Sequence, residues 1–224
     1  MTGFSDKIAK VFLALRENKT GVQIFFAIFY TVGIIGLSLP WFRDFFINLI
    51  PLALILSIFA LIIFHQSSNN HKIIVIFAII GVFSFFVEVA GVKTQEIFGP
   101  YTYGKGLGVK IFDTPLLIGI NWMFMVYCSA VLARKITSGY LSVVVSSIIM
   151  LIYDVVLEQA APLIDMWKWK GNVIPLQNYI AWFLLAFIFQ SVLSWSKVKF
   201  SNQLVGVILL CQTLFFVCII FFFR

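Results

Sequence analysis

Polar positions along this chain are rare and clustered, and the stretches between the clusters are almost wholly apolar. Seven such stretches stand out, at about 21–39, 45–64, 73–89, 115–132, 140–161, 177–195 and 204–223. Each approaches the roughly 20 residues that a helix needs to cross the hydrocarbon of a bilayer. None alternates with the period of two that marks a half-buried strand, so the runs predict helices. The breaks carry turn or charge signals: Pro40 with Arg43, the polar run from Gln66 to Asn70, Arg134-Lys135, and Lys197 to Asn202. Ahead of the first run, Phe4, Ile8, Val11, Phe12 and Leu15 fall on one helical face, with Lys7, Lys10, Arg16 and Glu17 elsewhere and Ser5 as a cap. That pattern predicts a helix lying in the headgroup plane. The following run is too long for a cleaved signal peptide, and further spans come after it. The expected fold is an all-α membrane protein, a bundle of about seven transmembrane helices preceded by an N-terminal amphipathic surface helix. Residues 1–19 form the amphipathic segment and 20–224 a single polytopic domain.

Two connections are longer than the rest, at 90–114 and 162–176. With seven spans they emerge on the same side of the membrane, whichever way the chain is inserted. Orientation rests on Lys and Arg near the span ends. With the N-terminus inside, nine basic residues lie on that side and seven on the other. The four N-terminal charges and the short Arg134-Lys135 loop favour a cytoplasmic N-terminus. The expected setting is the inner (cell) membrane of a bacterium.

Composition agrees: 62% of residues are hydrophobic and 11% charged, against about 45–50% and about 25% in soluble domains. The net charge of +7 sits between the apolar runs, where anionic headgroups attract it. Membrane lipid is therefore an expected partner and nucleic acid is not. Cys128, Cys211 and Cys218 lie inside apolar runs without metal or disulfide spacing. His65 and His71 share a polar loop without a carboxylate close in sequence, too few ligands for a metal site.

The acids are the informative residues. Glu88 lies near the end of the third run, and Asp154 and Glu158 lie late in the fifth. Their i, i+4 spacing places the last two on one helix face. Charge near hydrocarbon is costly, and acids kept there tend to face a cavity and mark function. Two carboxyls in a partly dry site resist joint ionisation, which leaves an acid beside a base. The competing reading places all three at the interface, solvated or paired with Lys93, Lys168 or Lys170. Tyr101 and Tyr103 sit in one long connection, Trp167 and Trp169 in the other. Asn121 and Trp122, and Asn178 and Trp182, sit near the starts of the spans that follow. An interfacial aromatic belt accounts for these rings. Aromatic faces around an acid also suit a carbocation. Gly99, Gly104, Gly106 and Gly108 suit a loop that folds back over the helix ends, and no phosphate-loop context surrounds them. A retinal protein would need a lysine in its last span, and 204–223 has none.

Two blocks of residues carry a family resemblance. The first is Glu88, Gly91-Val92, Phe98-Gly99-Pro100-Tyr101-Thr102-Tyr103, Leu107-Gly108, Pro115-Leu116 and Asn121-Trp122. The second is Asp154, Glu158, Trp167-Lys168-Trp169, Gly171, Pro175-Leu176, Asn178 and Trp182. In this order they resemble the carotenoid biosynthesis family of integral membrane proteins that includes carotenoid hydratases, over about residues 85–195. The chain has Glu158-Gln159 where members often have Asp-Pro, and Gln95 where many have Gly. The resemblance implies hydration of the terminal C1=C2 double bond of an acyclic carotenoid end to a tertiary alcohol, without cofactor or metal. Asp154, Glu158 and Glu88 are then the expected catalytic group. Tyr101, Tyr103, Asn121, Trp122, Trp167, Trp169, Asn178 and Trp182 are expected around the substrate, and other enzymes of the pathway are expected partners. Three alternatives stay open: an end-group cyclase or isomerase, a small proton-coupled transporter, and a non-catalytic membrane scaffold.

Overall fold

The computed structural model describes residues 2–223, with side chains from residue 10 onward. Helices dominate. An N-terminal helix α1 (Thr2–Glu17) leads almost directly into α2 (Lys19–Ser38). Phe12 and Leu15 turn toward the bundle, Phe12 meeting Phe59 with ring centroids 6.0 Å apart, while Val11 stays exposed. The part of the predicted amphipathic face carried by Phe4 and Ile8 lies outside the described side chains.

The expected span 45–64 is broken. A short α3 (Arg43–Asn48) ends at Leu49, and α4 (Ile50–Phe64) starts with Pro51 in its first turn. Proline lacks an N–H and suits that position, where the amide has no intrahelical partner. The 15 residues of α4 rise about 22 Å at 1.5 Å each, short of the roughly 30 Å of hydrocarbon. Among the described residues, six helices are long and apolar enough to cross a membrane. They are α2, α5 (Asn70–Thr94), α6 (Leu117–Ile136), α7 (Tyr140–Ala160, continued by a tight turn to Ile164), α8 (Leu176–Trp195) and α9 (Val205–Phe223). The protein is an all-α membrane protein.

Helix α6 is the hub, with most of its residues buried. It packs on α5, α7 and α9; α7 also packs on α8 and α9, and α2 lies against α9. The contact of α5 with α6 is close because a Cβ on Gly119 would come within 2.4 Å of the Gly81 carbonyl oxygen. Small residues allow such backbone approach between membrane helices. Helix α5 starts at an Asn69 cap, whose side chain accepts from the Lys72 amide. It stops at Gln95, which adopts φ 59°. Glycine is the usual residue at a left-handed helix stop.

The connections hold short antiparallel ribbons that the apolar periodicity does not predict. β1 (Gln66–Ser67) pairs with β6 (Phe200–Ser201) at one end of the bundle. At the other end β2 (Tyr101–Tyr103) pairs with β5 (Trp167–Trp169), and β3 (Lys110–Ile111) with β4 (Thr114–Pro115). The two long connections therefore share one end and are joined to each other there.

Candidate active site beneath an aromatic lid

The β2–β5 ribbon is a lid because of its alternation. Tyr101 faces Trp169, Thr102 faces Lys168 and Tyr103 faces Trp167. With side chains alternating across a strand, the four rings turn inward and are buried while Thr102 and Lys168 face out. The loop after β2 crosses tightly over Asp165. A Cβ on Gly104 would meet the Asp165 carbonyl oxygen at 2.3 Å, and the Gly106 amide donates to that oxygen at 2.7 Å. The Lys105 amide donates to Asp165 Oδ2 at 3.1 Å.

Beneath the lid lie the three acids. Glu88 is 3% exposed, Asp154 0% and Glu158 2%. The tyrosine hydroxyls of Tyr101 and Tyr103 both donate to Glu88 Oε2 at 2.7 Å, and Trp122 Nε1 donates to Oε1 at 2.9 Å. Burial first, and the nearby Glu88 second, push both tyrosine hydroxyls well above their ordinary value, so they remain donors. Glu158 collects three donors of its own. Trp167 Nε1 reaches Oε2 at 2.9 Å, Trp169 Nε1 the same oxygen at 2.6 Å, and Asn178 Nδ2 reaches Oε1 at 2.9 Å. Asp154, one turn earlier on α7, receives only a long contact of 3.5 Å from Asn178 to Oδ2. Its buried Oδ1 has no partner.

Hydroxyl, indole and amide groups are the donors here, so both glutamates act as acceptors, and Asp154 alone keeps a free oxygen. The space beside Glu88 and Glu158 is about 10 Å³, room for about one water molecule. Ile118 and Phe98 close it on the apolar side, together with Trp182. Trp182 stacks on Trp122 with centroids 4.0 Å apart and planes at 20°.

Tyr101, Tyr103, Trp122, Trp167, Trp169, Asn178 and Trp182 are thus gathered around the three acids. The interfacial reading of the acids does not describe this arrangement: Lys168 pairs with Asp165 at 3.5 Å, and Lys93 lies over the Phe112 ring. Nor are these rings a belt, since all are buried, whereas Trp41 and Trp195 are 90% and 78% exposed. Asn121 is the exception among the expected substrate residues. Its neighbour Trp122 points to Glu88, and Asn121 lines a second, larger cavity of about 240 Å³.

That cavity joins Leu107 of the first motif block to residues outside both blocks. Gln212 of α9, Leu157 of α7, Leu107 and Met166 of the two long connections, and Tyr30 of α2 all line it. A signal for Gln212 exists, since it is the one amide in the run 204–223. Asn121 Nδ2, Gln212 Oε1, Tyr153 Oη and Asp154 Oδ1 are buried without a hydrogen-bond partner. Each such atom costs about 1–3 kcal/mol, and their concentration marks the region as more than packing.

A polytopic helical membrane protein with a buried, lidded cluster of carboxyls and indoles is the class that this geometry defines. The family model of carotenoid biosynthesis proteins matches residues 49–223. That stretch covers more than half of the chain and contains all three acids and both halves of the lid, so the chain belongs to the carotenoid biosynthesis protein family. No curated protein and no solved structure matches it.

Proposed function

We propose that the protein hydrates the terminal C1=C2 double bond of an acyclic carotenoid end group. The observation that carries this reading is the unequal provision for the three carboxyls: two have three donors each, and Asp154 has an oxygen with none. The carboxyl with the fewest donors is the one suited to carry a proton. Asp154 gives that proton to C2, the π pair forming the new C–H bond and leaving a tertiary cation at C1. Water attacks C1 and releases a proton to a carboxylate of the Asp154–Glu158 pair. The pair ends with the protons it began with, and the net change is addition of one water. No electron leaves or joins the carbon skeleton, so the reaction needs neither oxidant nor reductant.

The surroundings support the same chemistry. Trp182 lines the space beside Glu158, and an indole face stabilises a cation that comes within about 6 Å of it. The one-water space beside Glu158 suits a nucleophile used singly. A hydrocarbon substrate dissolves in the bilayer, whereas water is plentiful only near its faces, and a site at one end of the bundle serves both. Expression in a host that accumulates acyclic carotenoids, followed by mass analysis of the extract, tests the reading. The expected product is heavier than its precursor by one water. An isomer of unchanged mass would instead make the protein a cyclase or isomerase, and unchanged pigment would remove the enzymatic reading.

A further inference from the structure

The space beside Glu88 and Glu158 admits about one water, so a hydrocarbon end must reach Asp154 from elsewhere. The 240 Å³ cavity, with Leu157 of α7 in its wall, offers the path. Val32 of α2 and Leu52 of α4, both on its lining, are 48% and 44% exposed, which puts its opening between these two helices. Tyr30 and Ser57 hydrogen-bond at 3.0 Å and tie the two helices together at one edge of the cavity. Leu107 and Met166, from the same two connections that form the lid, line the other. The walls are apolar until the inner end, where Asn121 and Gln212 present unpartnered amide atoms. Leu157, also on the wall, is one turn from Asp154 on the same face of α7. A dry cavity of about 150 Å³ accepts benzene, so this one accommodates the last isoprene units of a chain.

We propose that the cleft between α2 and α4 is the seat of the substrate's linear isoprenoid end, taken in sideways from the lipid, with Asn121 and Gln212 holding water or the new hydroxyl at its inner end. This rests on the hydration reading for the role of the amides, but the seat itself does not need turnover. Two polar groups at the end of an apolar cleft fit a molecule that is hydrocarbon on arrival and carries a single hydroxyl on departure. A phospholipid acyl chain fits the walls and gives the amides nothing to bind.

The test uses the full chain, purified in detergent with lycopene as the probe, a linear polyene with two open isoprenoid ends. Bound pigment per protein is measured from absorbance, and turnover is measured separately from product mass. Ala53→Phe places a ring in the cleft and is expected to lower bound lycopene at least tenfold. Leu52→Trp, at the lipid-facing mouth, does the same without touching the interior and decides the matter if Ala53→Phe does not accumulate. Gln212→Leu is expected to keep the pigment and lower turnover about tenfold. Lycopene bound equally by wild type, Ala53→Phe and Leu52→Trp overturns the proposal, as does wild-type protein that holds only phospholipid. If wild type binds lycopene in a cleft-dependent way and never adds water, the seat stands and the hydration reading falls. If wild type adds water and the two blocking variants do so at the same rate, the hydration reading stands and the seat falls.

Discussion

Both ends of the bundle close with a short ribbon over a buried polar network, and the two networks differ in kind. Opposite the lid, Asn202 Nδ2 donates to the Leu61 carbonyl at 2.7 Å and to Tyr127 Oη at 3.1 Å, and Tyr127 shares a 2.8 Å hydrogen bond with His65 Nδ1. Phe200 of β6 stacks on Tyr127, with centroids 5.5 Å apart. Carboxylates are absent from this group, and its bonds tie α4, α6 and the segment before α9 together. Under the lid, three acids are buried at one end of the bundle and one of them has an unpartnered oxygen. A network of amide, phenol and imidazole pins helices at little cost, even with His65 Nε2 left unpartnered. Buried carboxyls are expensive to keep, and one with a single long donor contact adds little to the fold. Under the proposed function, the first end serves stability and the second chemistry.

The sharpest way to break that division is Glu158→Gln, which keeps the size but turns an amide toward indole donors. Turnover is expected to fall roughly 10²–10⁴-fold, the usual weight of a general acid–base group, read as product per protein in cell extracts. Wild-type turnover would remove Glu158 from the chemistry. Trp169→Phe follows, since it removes the 2.6 Å donor to Glu158 and keeps a ring against Tyr101. A hydrogen bond to a charged group is worth about 1.5–3 kcal/mol, so turnover should fall about tenfold to a hundredfold with the protein still inserted. At the opposite end, Asn202→Leu should lower stability by about 1–3 kcal/mol, seen in unfolding of the solubilised protein. Turnover per folded molecule should stay unchanged, and a large loss there would undo the division of labour. The smallest effect is expected from Lys105→Ala, which breaks the exposed 3.2 Å pair with Asp44. Such pairs contribute about 0–1 kcal/mol, and neither stability nor turnover should move beyond that.

Much of this architecture is legible in the sequence because hydrocarbon imposes a simple rule. Runs near 20 residues become helices, and the positions of the two long connections place them at one end. The break at Leu49 is barely legible in hydropathy, because Asn48 is the one polar residue beside it; Pro51 is the other mark, and proline alone does not reveal whether a helix starts or merely bends. The lid ribbon is hidden for a different reason. Tyr-Thr-Tyr and Trp-Lys-Trp alternate, but three residues are too few for a period to show without a partner strand. Glu88, Asp154 and Glu158 were readable as a group because charge in an apolar run needs a reason. Asn121 was grouped with them by sequence distance, whereas adjacent residues on α6 project about 100° apart, which sends Trp122 to Glu88 and Asn121 to the cleft. Gln212 is hard to read from the sequence because an uncharged amide barely changes the hydropathy of its run.

Asp154 as the proton donor is the step on which the proposed hydration depends. The direct measurement is mass analysis of pigment from the carotenoid-accumulating host carrying Asp154→Asn at wild-type protein level in the membrane. The account predicts precursor alone, with no product heavier by one water. Hydrated pigment at the wild-type rate from that variant would contradict it.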